Sequence, residues 1–181
     1  GERSPPGLDP GLEEAVFFDP TATTCATGLH LAVVLVDAET GRVTLRDYAV
    51  VDDCGSIINP MVVEGQIHGG LVQGIGQALM EHLAFDHETG QVLAGSFMDY
   101  AMPRADDVPS FRLDRIESPS PANALGVKGA GESGTIGALG SLGNAVVDAL
   151  WHLGVRHVEL PLAPLQVWRA IQAAKVKPVG G

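Results

Sequence analysis

Two stretches of the chain, Leu29–Val36 ("LHLAVVLV") and Val43–Val51 ("VTLRDYAVV"), are rich in apolar and β-branched residues, and a short polar loop closing on Gly41 separates them. That pattern predicts a β-hairpin. "FDHETGQVLAGSFMDYAMP" repeats the device around Gly90, and "SFRLDRIES" alternates apolar and polar residues as a half-exposed strand does. Together they predict a sheet of four or more strands. The loop words "DAETGRV" and "DHETGQV" resemble each other through shared turn chemistry rather than internal duplication.

Three stretches follow a helical period instead. Asn59 is a good N-cap and Pro60 suits the first helical position, after which Val62, Val63, Gln66, Ile67, Leu71, Ile75, Leu79 and Leu83 mark one face. This predicts a helix near 60–83. A second is expected after Gly134, running to about Leu153, and a third in "APLQVWRAIQAA", where Leu165, Trp168, Ile171 and Gln172 keep helical spacing. Strand pairs followed by helices, without strict β-α-β alternation, predict an α+β fold: a mixed or antiparallel sheet with about three helices.

With 181 residues and 45% hydrophobic content, the chain can bury one core of ordinary size. The expected organisation is a linker or flexible start at 1–14, one domain at 15–176 and a short tail at 177–181. The first residue is Gly1 and not Met, so a processed chain, a cloned domain or a piece of a longer chain is expected. No apolar run approaches the roughly 20 residues of a membrane span, and the start is neither a signal nor a transit peptide. Cys25 and Cys54 form no CxxC pair and no disulfide framework, which fits a cytoplasmic setting. The net charge of −11 sits in the first half: residues 1–90 hold 14 acids and 3 bases, residues 91–181 hold 8 of each. With no basic stripe to meet phosphates, nucleic acid is not an expected partner.

Glycine carries most of the candidate chemistry. "GAGESG" spells a dinucleotide fingerprint, yet "NALGVK" before it is no β-strand, so the required context fails. No GK[ST] follows, which removes a Walker loop, and five proline-free glycine triplets cannot be collagen. A glycine-rich turn leading into a helix remains, with small residues that let another backbone or a flat cofactor approach. Within it, Glu132 has two readings. It is a first-turn acid that favours the helix dipole by up to about 1 kcal/mol, or a general base held in a dry, glycine-walled pocket. The first helix raises the same question, since Gly65, Gly69, Gly70, Gly74 and Gly76 each cost up to about 1 kcal/mol relative to Ala in a helix interior. Either a neighbouring helix packs closely there, or a ligand lies over Gln66 or Gln73, whose amides offer donor and acceptor together.

Other constellations are weaker. The six histidines form no HxxxH and, with two distant cysteines, no zinc spacing. His68 reads as a packed histidine, and a strand end turning through Gly55 accounts for Asp52 and Asp53. No GxSxG elbow supports a hydrolase.

Three ordered blocks carry a resemblance: "VVDDCGSIINPMVVEGQIHGGLVQGIGQALMEHLAFD", "SFMDYAMPRADDVPSF" and "SPSPANALGVKGAGESGTIG" with the following "NAVVDAL". Over about residues 29–172 the chain resembles the C-terminal part of the molybdopterin-binding large subunit of molybdenum hydroxylases. This is the xanthine dehydrogenase and aldehyde oxidase family, including its aerobic carbon monoxide dehydrogenase type. The resemblance implies an oxidoreductase whose molybdenum is held by the pterin dithiolene, so that no protein metal ligand is needed. It implies Glu132 as the base for Mo–OH attack on an aldehyde, a heterocycle or carbon monoxide. Gln66, Gly129 and Gly131 are implied in binding molybdopterin, its cytosine dinucleotide form included. Iron–sulfur clusters and FAD are implied on partner chains, beside the remaining N-terminal part of the large subunit and a small-molecule substrate. Family large subunits are several times longer, and the missing part decides the substrate. The competing expectation is a non-catalytic assembly fragment that keeps the fold without cofactor.

Overall fold

The structure, a computed structural model, describes residues 13–20 and 22–176. The expected linker, apart from its last two residues, and the expected tail lie outside the described residues. The predicted hairpin forms β1 (Thr27–Val36) and β2 (Val43–Asp53), which pair antiparallel with a one-residue slip between Val33 and Val34. At the turn, Asp37 Oδ1 accepts the Glu39 amide at 2.9 Å and Gly41 closes the loop at φ +74°. Gly41 can do so because it lacks the Cβ that disfavours positive φ.

The helix α1 (Pro60–Leu79) starts where the cap chemistry requires, with the Asn59 side chain accepting the Val62 amide at 3.3 Å. It ends four residues before the expected Leu83. Met80 leaves helical geometry, the Met80 and Glu81 amides both close on the Gly76 carbonyl, and the Leu162 amide caps the Ala78 carbonyl at 2.6 Å. A distant segment therefore takes the carbonyl that would have continued the helix. After α1, the chain passes through a short 3-10 turn (Ala105–Asp107) into β3 (Phe111–Arg115), which pairs parallel to β2. Two further helices follow, α2 (Ser133–Leu150) and α3 (Pro164–Val176), with one 3-10 turn (Trp151–Leu153) extending α2 to the predicted end.

The sheet therefore has three strands in the order β1-β2-β3, among the described residues, where four or more were expected. The second Asp-to-Gly turn forms as the first does: Asp86 Oδ1 accepts the Glu88 amide at 3.1 Å, and Gly90 has φ +71°. Its arms share only the single bridge Phe85–Val92. Leu93, Phe97 and Met98 stay exposed. With no buried face to reward alternation, local turn chemistry does not propagate into a ladder.

One core lies between the sheet and α1 and α2, built on Tyr48 and Val50 of β2, Ile67, Leu71 and Ile75 of α1, and Ala138 and Leu142 of α2. A second joins Val146 and Leu150 of α2 to Val167 and Ile171 of α3. On α2 the buried residues Gly134, Ala138, Leu142, Val146 and Leu150 recur every four positions, a single stripe facing inward. The opposite face of β1 presents Leu29, Leu31, Val33 and Leu35 to solvent. Such a row on an edge strand favours association, so the isolated chain is expected to self-associate, giving sedimentation coefficients that rise with concentration. A monodisperse monomer at high concentration would contradict this.

Candidate functional site

The loop that leads into α2 is pinned before it opens. The Lys128 ammonium donates to Asp53 Oδ2 at 3.0 Å, the Lys128 amide donates to the Cys54 carbonyl at 2.9 Å, and the Asn123 amide group bonds Val127 in both directions. Asp53 also accepts the Gly55 and Ser118 amides. These donors, Gly55 first and Lys128 next, hold its carboxyl well below the usual carboxylate range. Beyond Lys128 the chain runs through Gly129 and Gly131, where nothing among the described residues lies within 4 Å of the position a Cβ would take.

Glu132 is the N-cap residue of α2, but its side chain makes no capping hydrogen bond. Its carbonyl accepts the Thr135 and Ile136 amides at 3.1 and 3.3 Å, so the main chain is committed to the helix while the carboxylate is free to face outward. Gly129, Gly131 and Glu132 border one cavity of about 510 Å³, together with His30, Asp52 and Gly137. The glycine walls expected around Glu132 are present, but the side chain itself is exposed within this chain.

Gln66 stands apart from that cavity. It is exposed on α1, as is Gln73 two turns later. Ile67, the next residue, is where α2 arrives: a Cβ on Gly134 would collide with the Ile67 carbonyl and lie 2.7 Å from the Leu71 amide nitrogen. Gln66 precedes Ile67 on α1 and Glu132 lies two residues before Gly134 on α2, two positions at which the helices touch. The crossing also sorts the α1 glycines. Gly70 and Gly74 meet α2, with the Gly74 Cβ position 2.6 Å from the Ala138 methyl, and Thr135 donates its hydroxyl to the Gly70 carbonyl at 3.0 Å. Gly76 faces Pro103, whereas Gly65 and Gly69 face open space. Packing explains three of the five, and the pair beside Gln66 has no packing reason within the described residues. His68 is packed as expected, its Nδ1 near the Glu64 carbonyl at 2.9 Å and its ring against Phe111.

Two residues of the cavity were not singled out by their sequence context. Asp53 makes the turn, but its neighbour Asp52 is 2% exposed and its Oδ2 has no hydrogen-bond partner among the described residues. Burial pushes the Asp52 carboxyl up and the His30 imidazole down, the two groups lying 4.0 Å apart at their nearest atoms. The available signal was period two along β2: Tyr48, Val50 and Asp52 share the inward face. His30 likewise shares the inward face of β1 with Ala32 and Val34.

An open glycine-walled surface, exposed amides and a free carboxylate suit a flat heterocycle held mainly by main chain and amides, and molybdopterin fits that description. The chain matches the molybdopterin cofactor-binding domain family over residues 8–109, a range that includes Gln66 and stops before Glu132. It is 40% identical to the carbon monoxide dehydrogenase large chain of Hydrogenophaga pseudoflava over 94% of this chain and 21% of that one. Identity reaches 46% with the nicotine 6-hydroxylase large subunit of Paenarthrobacter nicotinovorans, over 92% of this chain and 20% of the relative. Among solved structures, the Cu,Mo-CO dehydrogenase in its carbon monoxide reduced state superposes with a TM-score of 0.87 at 37% identity, covering 95% of this chain and 22% of the other. The chain spans about a fifth of the length of these relatives. Among the described residues, no helix is long and apolar enough to cross a membrane. Fold, site geometry and these likenesses agree, and the chain belongs to the molybdopterin-binding large-subunit family of the molybdenum hydroxylases.

Proposed function

We propose that this chain forms one wall of the molybdopterin site of a molybdenum hydroxylase and that Glu132 is its general base. The observation that carries the reading is the convergence of Gly129, Gly131 and Glu132 on one cavity; the α1 surface where Gly65 and Gly69 leave open space next to Gln66 is a separate face that the reading assigns to the same cofactor. When bound, the cofactor would supply an activated oxygen nucleophile and take up two electrons from the substrate. Gly129 and Gly131 would let the pterin approach the main chain, and the exposed Gln66 amide would hold it through donor and acceptor together. The carboxylate of Glu132 would serve as the general base that accepts a proton at this site, a role for which its side chain is unencumbered by any capping bond.

The remainder of the large subunit closes the cavity and excludes water from Glu132. Iron–sulfur and FAD subunits in the cytoplasm carry the electrons away, and the pterin bears a cytosine dinucleotide. The substrate is an aldehyde, a heterocycle or carbon monoxide, with the relatives named for carbon monoxide and nicotine marking the range. A second reading, an assembly domain without cofactor, is favoured by the exposure of Glu132 in this chain.

Metal and pterin analysis separates the two. In the protein purified with its own partner subunits, Gly65→Leu and Gly69→Leu are expected to leave the fold intact or raise its stability by up to about 1 kcal/mol, since Leu is the better helix former. Both should lower bound molybdenum and pterin several-fold by filling the space over α1. Unchanged cofactor content in both variants would remove α1 from the binding wall, and a wild-type complex free of pterin would favour the assembly reading.

A further inference from the structure

His30 carries a role that the reading of Glu132 leaves unassigned. We propose that His30 is a positioning residue, a strut between β1 and α2 that sets the first turns of α2 and with them the backbone of Glu132. This rests on Glu132 being the base. Three observations carry it. First, the imidazole occupies the space that Gly137 leaves open: a Cβ there would land on the ring itself. Second, His30 is tied to the same helix further along. The Ser141 hydroxyl lies 3.1 Å from the Ala138 carbonyl and is hydrogen-bonded to the Tyr48 hydroxyl at 2.8 Å. The Tyr48 hydroxyl is in turn hydrogen-bonded to His30 Nδ1 at 2.8 Å. A continuous hydrogen-bonded link thus runs from β1 through β2 to α2, and Tyr48 is fully buried within it. Third, Glu132 has no capping bond to hold it in place, so its position follows the helix start.

The start of α2 is wedged from two sides. Gly134 and Thr135 rest on α1, and Gly137 rests on His30. Replacing the imidazole leaves the α1 contact intact, while the lost bond to Tyr48 and the changed ring alter the spacing between β1 and α2, so the first turns shift. A shift of about 1 Å in a catalytic group, with substrate binding preserved, is enough to cost about 10- to 100-fold in kcat.

The test uses the assembled enzyme with Glu132→Gln as the reference. His30→Phe keeps an aromatic ring and loses the bond to Tyr48. It is expected to lower kcat about 10- to 100-fold while KM and molybdenum content stay within about twofold of wild type. Amides in the first two turns of α2 should exchange faster with solvent, with the last two turns unchanged. His30→Asn, whose amide can hydrogen-bond the Tyr48 hydroxyl in place of Nδ1, should recover part of the lost kcat. Gly137→Ala approaches from the helix side by pushing on the ring, and should reproduce the kcat loss even if His30→Phe does not assemble. If Glu132→Gln abolishes turnover while His30→Phe or, failing its assembly, Gly137→Ala leaves kcat and α2 exchange at wild-type values, His30 is not a positioning residue. If Glu132→Gln itself leaves turnover intact, the base assignment fails instead, and amide exchange still decides whether His30 sets the helix start.

Discussion

Glu132→Gln in the assembled enzyme is expected to lower turnover by about 10²- to 10⁴-fold, the usual contribution of a positioned general base. The substitution suits the question because it keeps the side-chain shape and removes only the basic oxygen. Little structure depends on the carboxylate: the side chain is exposed and caps nothing, and the Glu132 carbonyl that accepts the Thr135 and Ile136 amides is untouched. Losing one negative charge at the start of α2 costs at most about 1 kcal/mol of dipole interaction. Folding and cofactor content should therefore match wild type, and steady-state kcat with an artificial electron acceptor is the measurement. Turnover within a few-fold of wild type would reduce Glu132 to a helix-dipole acid.

The second large effect concerns the close crossing of α1 and α2. Gly134→Val is expected to destabilise the protein by about 3 kcal/mol or more, above the usual range for added core volume because the new atoms meet main chain on both sides. A Cβ alone would press on the Ile67 carbonyl, the Leu71 amide at 2.7 Å and the Gly70 carbonyl carbon at 3.0 Å. No rotamer change relieves a backbone collision. For a chain of this length, 3 kcal/mol lowers Tm by about 6 to 12 °C. Gly140→Ala and Gly143→Ala lie on the same helix with open space at the Cβ position, and should hold Tm or raise it by helix propensity. Thermal unfolding of the three variants side by side checks the crossing. If Gly134→Val melts with wild type, α1 and α2 do not pack as described.

Of the two readings left open for the glycines, close packing accounts for one group, and the difference between the groups lies in their neighbours. Gly70, Gly74 and Gly134 are small because another helix lies against them, whereas Gly65, Gly69, Gly129 and Gly131 face open space beside the candidate cofactor residues. Identical residue types at regular spacing cannot announce which partner they meet. The acid pair behaves in the same way. Asp53 is the turn residue that the sequence context predicts, while Asp52, one position earlier, points inward beside His30 because strand side chains alternate.

Local chemistry alone determined the β1–β2 hairpin, the Asn59–Pro60 start of α1, the two Asp-to-Gly turns and the helical stripe of α2. In each, the deciding groups lie within a few residues of one another, so propensity, capping and periodicity act before any distant contact. Only the tertiary structure decided that β3 joins β2 in parallel, that the second turn builds no ladder, that α1 stops at Leu79 and that Ile67 and Gly134 meet where α1 and α2 touch. Those outcomes depend on which distant segment arrives to take a carbonyl, fill a gap or cover a face. The Leu162 amide on Ala78 and the His30 ring on Gly137 are two such arrivals, each across many residues of chain, and short-range spacing carries no record of either.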